Sequence, residues 1–204
     1  MSHHIYQTKA FIIDSIDVGE ANKILTVFTE DFGMLFVHAQ GVRVLKSKLR
    51  PSIQDYSFVR IAMVKGKEYW RLTSAEKLIS LHDKRIPLEI KLLLSRILAF
   101  VKRLAVGESK NQELFNSVSK LCSFCIEKNK EFSAHSNGYA QNIEHIERIA
   151  EYRILDTLGY GSDKKEFSYL SKSDEWNEAL FDVSEDIYKK LVEHINTALE
   201  QSHL

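Results

Sequence analysis

Two cysteines in 204 residues cannot staple a fold of this size, so a disulfide framework is excluded. The most apolar stretch is cut by Arg96, which leaves no run of about 18 to 20 apolar residues to span a bilayer. The sequence therefore predicts no membrane-embedded segment. Its start, Met1-Ser2-His3-His4, lacks the basic region and the apolar run of about 7 to 15 residues found in a secretory leader, so a reducing, cytoplasmic setting is expected.

Catalytic signatures are missing too. There is no Gly-x-Ser-x-Gly, no His-Glu-x-x-His and no Gly-x-x-x-x-Gly-Lys. Gly159 and Gly161 follow a helical pattern rather than a strand and lack the third glycine of a dinucleotide loop; Gly159 is read as a helix C-cap. Cys122-Ser123-Phe124-Cys125 has metal-ligand spacing, but no second cysteine pair or flanking histidine pair completes a site. These two cysteines are read as buried structural thiols. No catalytic residue, metal or cofactor is nominated, and the chain is not expected to be an enzyme.

What is present is a globular composition, 44% hydrophobic and 27% charged, with a charge that cancels only overall. Residues 1–104 carry 17 Lys/Arg against 10 Asp/Glu, and residues 105–204 carry 11 against 18. The densest basic stretch runs from Gln40 to Arg71, where eight cations meet only Asp55 and Glu68. Such a stretch suits a polyanion.

The same half reads as short strands. Lys9–Asp17 is rich in β-branched residues, Asn22–Thr29 alternates, and Asp31-Phe32-Gly33 turns the chain into Met34–Ala39. Asp55–Val64 alternates clearly, and after the turn at Lys65-Gly66-Lys67 the segment Glu68–Ala75 completes five strands. Five short strands in about 70 residues favour a small closed barrel over a sandwich. Tyr69 and Trp70 are neighbours on one strand, so one of them belongs to the core.

After Pro87 the pattern becomes helical, with Leu88, Leu92, Ile97, Val101 and Leu104 recurring up to Gly107. Further helices are expected at 114–127, 139–158 and 185–199, and a short one at 176–181. The fold expected is α+β: a small five-stranded barrel over residues 1–82, followed by an all-helical domain over 83–204. A long flexible loop carrying Arg43, Lys46, Lys48 and Arg50 would follow a phosphate backbone. Ser47 and the Gly41 amide would add neutral contacts.

Ala10–Ile13, the run Gly19-Glu20-Ala21-Asn22-Lys23-Ile24-Leu25-Thr26, and Phe28-Thr29 with Gly33 four residues on resemble the N-terminal domain of the bacterial RecO family of recombination mediators. Gly41-Val42-Arg43, leading through Lys46-Ser47 to Leu49-Arg50, continues the resemblance, as do Trp70-Arg71-Leu72 and the helix after Pro87. Arg153-Ile154-Leu155 and Leu158-Gly159-Tyr160 resume it, so it covers about the first 105 residues well and the remainder in outline.

The resemblance implies that the barrel is a five-stranded oligonucleotide-binding (OB-fold) barrel that binds single- and double-stranded DNA and anneals complementary strands. It further implies work with RecR, contact with the C-terminal tail of single-stranded DNA-binding protein, and indirect help to RecA. Matching the family's basic loop names Arg43, Lys46, Lys48 and Arg50 as DNA contacts; Lys65, Lys67 and Arg71 are added from charge and strand position. Ser162–Leu170 contains none of the cysteines of the zinc finger that many family members carry there, so no zinc is expected. An RNA-binding barrel and a protein-only adaptor are the alternative readings.

Overall fold

The computed structural model describes residues 4–105, 107–128, 139–162, 164–171, 175–177, 180 and 183–201. The chain divides into two compact units, Met1–Arg85 with Ala105–Gln112, and Ile86–Leu104 with Glu113–Leu204.

The first unit is a closed barrel of β1 (Ile5–Val18), β2 (Asn22–Thr29), β3 (Gly33–Ala39), β4 (Ser57–Lys65) and β5 (Trp70–Ser80). Around it the strands run β1-β2-β3-β5-β4, and β4 closes onto β1. The long first strand makes closure possible. Its early residues pair with β4 and its later ones with β2, and a register shift between Ile12 and Asp14 bends it between the two partners. All pairings are antiparallel except β3 with β5, a parallel contact of only two residue pairs, Val37 with Trp70 and His38 with Arg71.

Alternation fills the interior. Ala10, Ile12, Leu25, Val27, Leu35, Val37, Val59, Ile61, Met63, Trp70 and Leu72 converge in one buried cluster, and Trp70 is the core member of the Tyr69-Trp70 pair. Tyr6 and Phe32 lie edge-on or tilted to the Trp70 ring at 5.2 and 5.4 Å.

Gly33 turns β2 into β3 with φ 70, and a Cβ there would run into the Ser109 carbonyl. That collision arises because residues 105–112 return to the barrel. The Met34 amide donates to the Gly107 carbonyl, Lys110 meets Asp31 at 3.1 Å, and Gln112 donates to Glu30. Burial opposes ionisation of Asp31, yet hydrogen bonds from Thr8 and Lys110 and the nearby positive charges hold its carboxyl below the usual carboxylate value.

The second unit is helical among its described residues: α1 (Leu88–Leu104), α2 (Gln112–Glu127), α3 (Tyr139–Leu155), the single turn α4 (Ser168–Ser171) and α5 (Glu185–Gln201). α3 packs against α1 and α5. Arg96 on α1 forms a fork to Glu147 on α3 at 2.5 and 2.6 Å. Gly159, at φ 90, sits in the wide turn that ends α3, where a left-handed residue is needed.

The buried stripe of α1 corrects the sequence reading. Ile90, Leu93, Leu94, Ile97, Leu98, Val101 and Leu104 are buried, whereas Leu88 and Leu92 are 65% and 47% exposed. The two leucines are one turn apart and keep helical spacing with each other, but they lie on the flank of the stripe. Of the short helix expected at 176–181, residues 178, 179 and 181 lie outside the described residues, and Trp176 and Asn177 are not helical.

Candidate nucleic-acid interface

The β3–β4 connection carries most of the basic stretch, and it is pinned rather than flexible. Val42 and Ile53 are buried in the end of the barrel, and Leu49 packs partly against the same core. Three buried or half-buried apolar side chains spaced along this long loop fix its path. The Gly41 amide donates to Asn22 Oδ1 at 2.9 Å and is therefore already satisfied, against the expectation that it contacts phosphate. Turns closed by Ser47 N–H to the Val44 carbonyl and Ser52 N–H to the Leu49 carbonyl, both 2.9 Å, shape the rest.

Pinning the loop presents its cations unequally. Arg43 donates to the Gly19 carbonyl at 2.6 Å and pairs with Asp17 at 3.2 Å, tying the loop to the β1–β2 turn. Lys46, Lys48 and Arg50 are exposed, and no carboxylate of a described residue pairs with any of them. Between Arg43 and Lys46 the loop raises Val44 and Leu45, the latter 90% exposed, an apolar tip between cations. Beside the loop opens a cleft of about 530 Å³ that Lys23, Arg43, Arg50, Asp55 and His82 help to line.

The cations near β5 also differ among themselves. Lys65 pairs with Glu108 at 3.3 Å and lies 5.1 Å from the Trp70 ring centre. Lys67 is exposed in the β4–β5 turn. The Arg71 guanidinium lies 5.9 Å from the ring centre of Tyr69, and that ring stacks on His38 at 4.2 Å with 28° between planes.

This stack belongs to a platform that the sequence reading missed. Phe36 is 63% exposed on the outer face of β3, two residues before His38. The register places Ile16, Ile24, His38 and Arg71 side by side across four strands. Phe36, His38, Tyr69 and Arg71 thus offer ring faces and a guanidinium plane on one outer surface, the chemistry that stacks unpaired bases. Strand alternation could have revealed Phe36 and His38, because they alternate with Leu35 and Val37, which are core.

Residues 1–80 match the family model described as Recombination protein O N terminal. The barrel is thus similar to a RecO N-terminal domain. RecO is also the name of the similar curated proteins. DNA repair protein RecO of Clostridium novyi is 27% identical over 159 residues, covering 78% of this chain and 58% of that protein. Its counterpart in Clostridium acetobutylicum is 26% identical over 169 residues, covering 82% and 62%. That of Caldanaerobacter subterraneus is 24% identical over 167 residues, covering 82% and 67%. These alignments are longer than the barrel and so include residues of the helical unit. The chain spans about three-fifths of the length of the first two relatives.

The helical unit adds no candidate metal centre: among the described residues no group of three or more His, Cys, Asp or Glu is placed to hold an ion. Cys122 and Cys125 are buried in α2, where burial pushes the Cys122 thiol up to about 12 and Cys125 further still. Among the described residues no helix is long and apolar enough to cross a membrane.

Proposed function

We propose that this chain is a recombination mediator of DNA repair whose barrel holds nucleic-acid strands by charge and stacking. The observation that carries this reading is the presence, on one RecO-type barrel, of the cations Lys46, Lys48 and Arg50, which pair with no described carboxylate, together with the outer platform of Phe36, His38, Tyr69 and Arg71. Lys and Arg neutralise phosphates whatever the sequence, and ring faces accept any base. A strand so held keeps its Watson–Crick edges available. Two strands on such a surface lose much of their mutual phosphate repulsion, so complementary bases meet and pair without a cofactor or a bond-making step.

The curated relatives named DNA repair protein RecO support the DNA repair setting. The family resemblance extends the proposal to double-stranded DNA, RecR, the C-terminal tail of single-stranded DNA-binding protein and, indirectly, RecA. Arg43 belongs to this site as the residue that fixes the loop, with Lys65 and Lys67 as flanking charges. The test is the affinity of the full chain for a labelled single-stranded DNA across a salt series. A log–log slope of about −2 to −4 is expected, at about 0.7 per neutralised phosphate. Negligible binding at low salt would reject the reading.

A further inference from the structure

The tip of the basic loop carries a feature that phosphate contact and base stacking leave unused. Leu45 is 90% exposed and its neighbour Val44 50%, whereas every other large hydrophobic side chain among the described residues is 65% exposed or less. A leucine held in water adds nothing to the stability of the fold, because its apolar surface stays wet. Exposed apolar side chains scattered singly are ordinary. This one is raised on a rigid support between cations.

The support is built from backbone and core contacts. The Ser47 amide donates to the Val44 carbonyl at 2.9 Å, which closes a four-residue turn with Leu45 and Lys46 at its two central positions. On the entering side Val42 is buried in the barrel, the Arg43 amide donates to the Ala21 carbonyl at 3.0 Å, and the Arg43 guanidinium holds Asp17 and the Gly19 carbonyl. On the leaving side Leu49 packs partly against the same core, and its carbonyl accepts from the Ser52 amide at 2.9 Å. The backbone that presents Leu45 is thus already ordered, so burying the side chain against a partner costs little further entropy.

The partner that fits offers an apolar gap with negative charge on its rim. Lys46 adjoins Leu45 in the turn, Lys48 and Arg50 follow, and all three are exposed with no described carboxylate paired to them. An opened step of nucleic acid has both parts, base faces inside and phosphates on either side. Apolar side chains, leucine among them, enter such steps as wedges. Opening an internal duplex step costs stacking energy, whereas at a junction of duplex and single strand one face of the terminal pair is bounded only by an unpaired base.

Resting on the nucleic-acid reading above, we propose that the Val44-Leu45 turn is a wedge that seats on the terminal base pair at a junction of single- and double-stranded DNA. Leu45 covers the outer face of that pair, and Lys46 and Lys48 take phosphates beside the step. The first unpaired base is held off the duplex end, open to a complementary strand.

The test uses the full chain and a labelled duplex that bears a thymidylate arm. Competition with a thymidylate single strand and with a closed circular duplex, which has no ends, gives relative affinities. In a second copy of the armed duplex the first unpaired base is 2-aminopurine, whose emission rises when it loses its stacking partner. The armed duplex is expected to bind about tenfold tighter than either competitor, with a rise in emission. Leu45→Ala should remove both the preference and the rise while keeping the salt slope on thymidylate, and Leu45→Phe should retain both. Equal affinities in the wild type would overturn the proposal without a variant. A preference that survives Leu45→Ala, or tight junction binding with no change in emission, would overturn it as well. Sedimentation with phosphatidylserine vesicles that is lost in Leu45→Ala, in a chain with no junction preference, would assign the tip to a lipid surface instead. Salt-sensitive thymidylate binding without a junction preference removes the wedge alone, whereas no binding to any of these DNAs sinks the broader nucleic-acid reading itself.

Discussion

Replacing Lys46 and Lys48 by alanine removes two exposed charges from a loop whose path is set by other residues. Val42, Leu49 and Ile53 hold the loop by burial, and Arg43 ties it to Asp17 and the Gly19 carbonyl. Truncating the two lysines should therefore leave stability within about 0.5 kcal/mol of wild type. Each lysine beside a phosphate at about 4 Å in water contributes about 1 kcal/mol. Losing both should weaken single-stranded DNA binding about 30-fold, or about 2 kcal/mol, at low salt. The salt slope should fall by about 1.4, because each lost contact removes about 0.7. Fluorescence anisotropy over a salt series reads both quantities on the same samples, and thermal unfolding checks the fold. Arg43→Ala is the contrast: with its guanidinium already engaged by Asp17 and Gly19, it should lower stability and change the slope less. An unchanged slope in the double variant would refute the assignment of the loop as the phosphate-binding surface, whatever happened to affinity.

Phe36→Ala should weaken binding by about 1 to 3 kcal/mol through lost stacking while leaving the salt slope alone, a separation the same anisotropy series resolves. Gly33→Ala should destabilise the barrel by more than about 1 kcal/mol, because the turn needs a left-handed residue and a Cβ would strike the Ser109 carbonyl; a denaturant midpoint equal to wild type would contradict this. Asp31 has a folded-state pKa below its unfolded value, so its contribution is present above the unfolded pKa and is lost as pH falls through the folded one. Thermal unfolding of wild type should accordingly fall more steeply below about pH 4 than that of Asp31→Asn. Parallel curves would remove Asp31 from the account.

The parts of the fold legible in the sequence are those written in local period. The β2 span Asn22–Thr29 is the one expected, and the alternation read over Asp55–Val64 is that of β4, whose Val59, Ile61 and Met63 lie in the core. β1 and β5 run longer than expected, to Ile5 at one end and Ser80 at the other, because pairing with β4 rather than residue type sets those ends. Residues 105–112 carry no signal for their return to the barrel, which depends on backbone bonds such as Met34 N–H to the Gly107 carbonyl. The basic loop was legible as charge but not as geometry. Its pinning by Val42 and Ile53, and the diversion of Arg43 to Asp17, become visible only once distant strands are in place. The stack of His38 on Tyr69 is of the same kind, since it joins β3 to the start of β5 across 31 positions of sequence.

The parallel contact between β3 and β5 is only two residue pairs long, which makes it the barrel's seam. Short pairings are where a closed sheet opens first. The outer platform straddles that seam, with Phe36 and His38 on one side and Tyr69 and Arg71 on the other. On the proposed DNA-binding reading, a strand laid across the platform would act as a splint, so that occupancy and closure reinforce each other, and amide exchange at Val37, His38, Trp70 and Arg71 should slow when DNA is bound. On this view the barrel's weakest join is also its sensor of cargo.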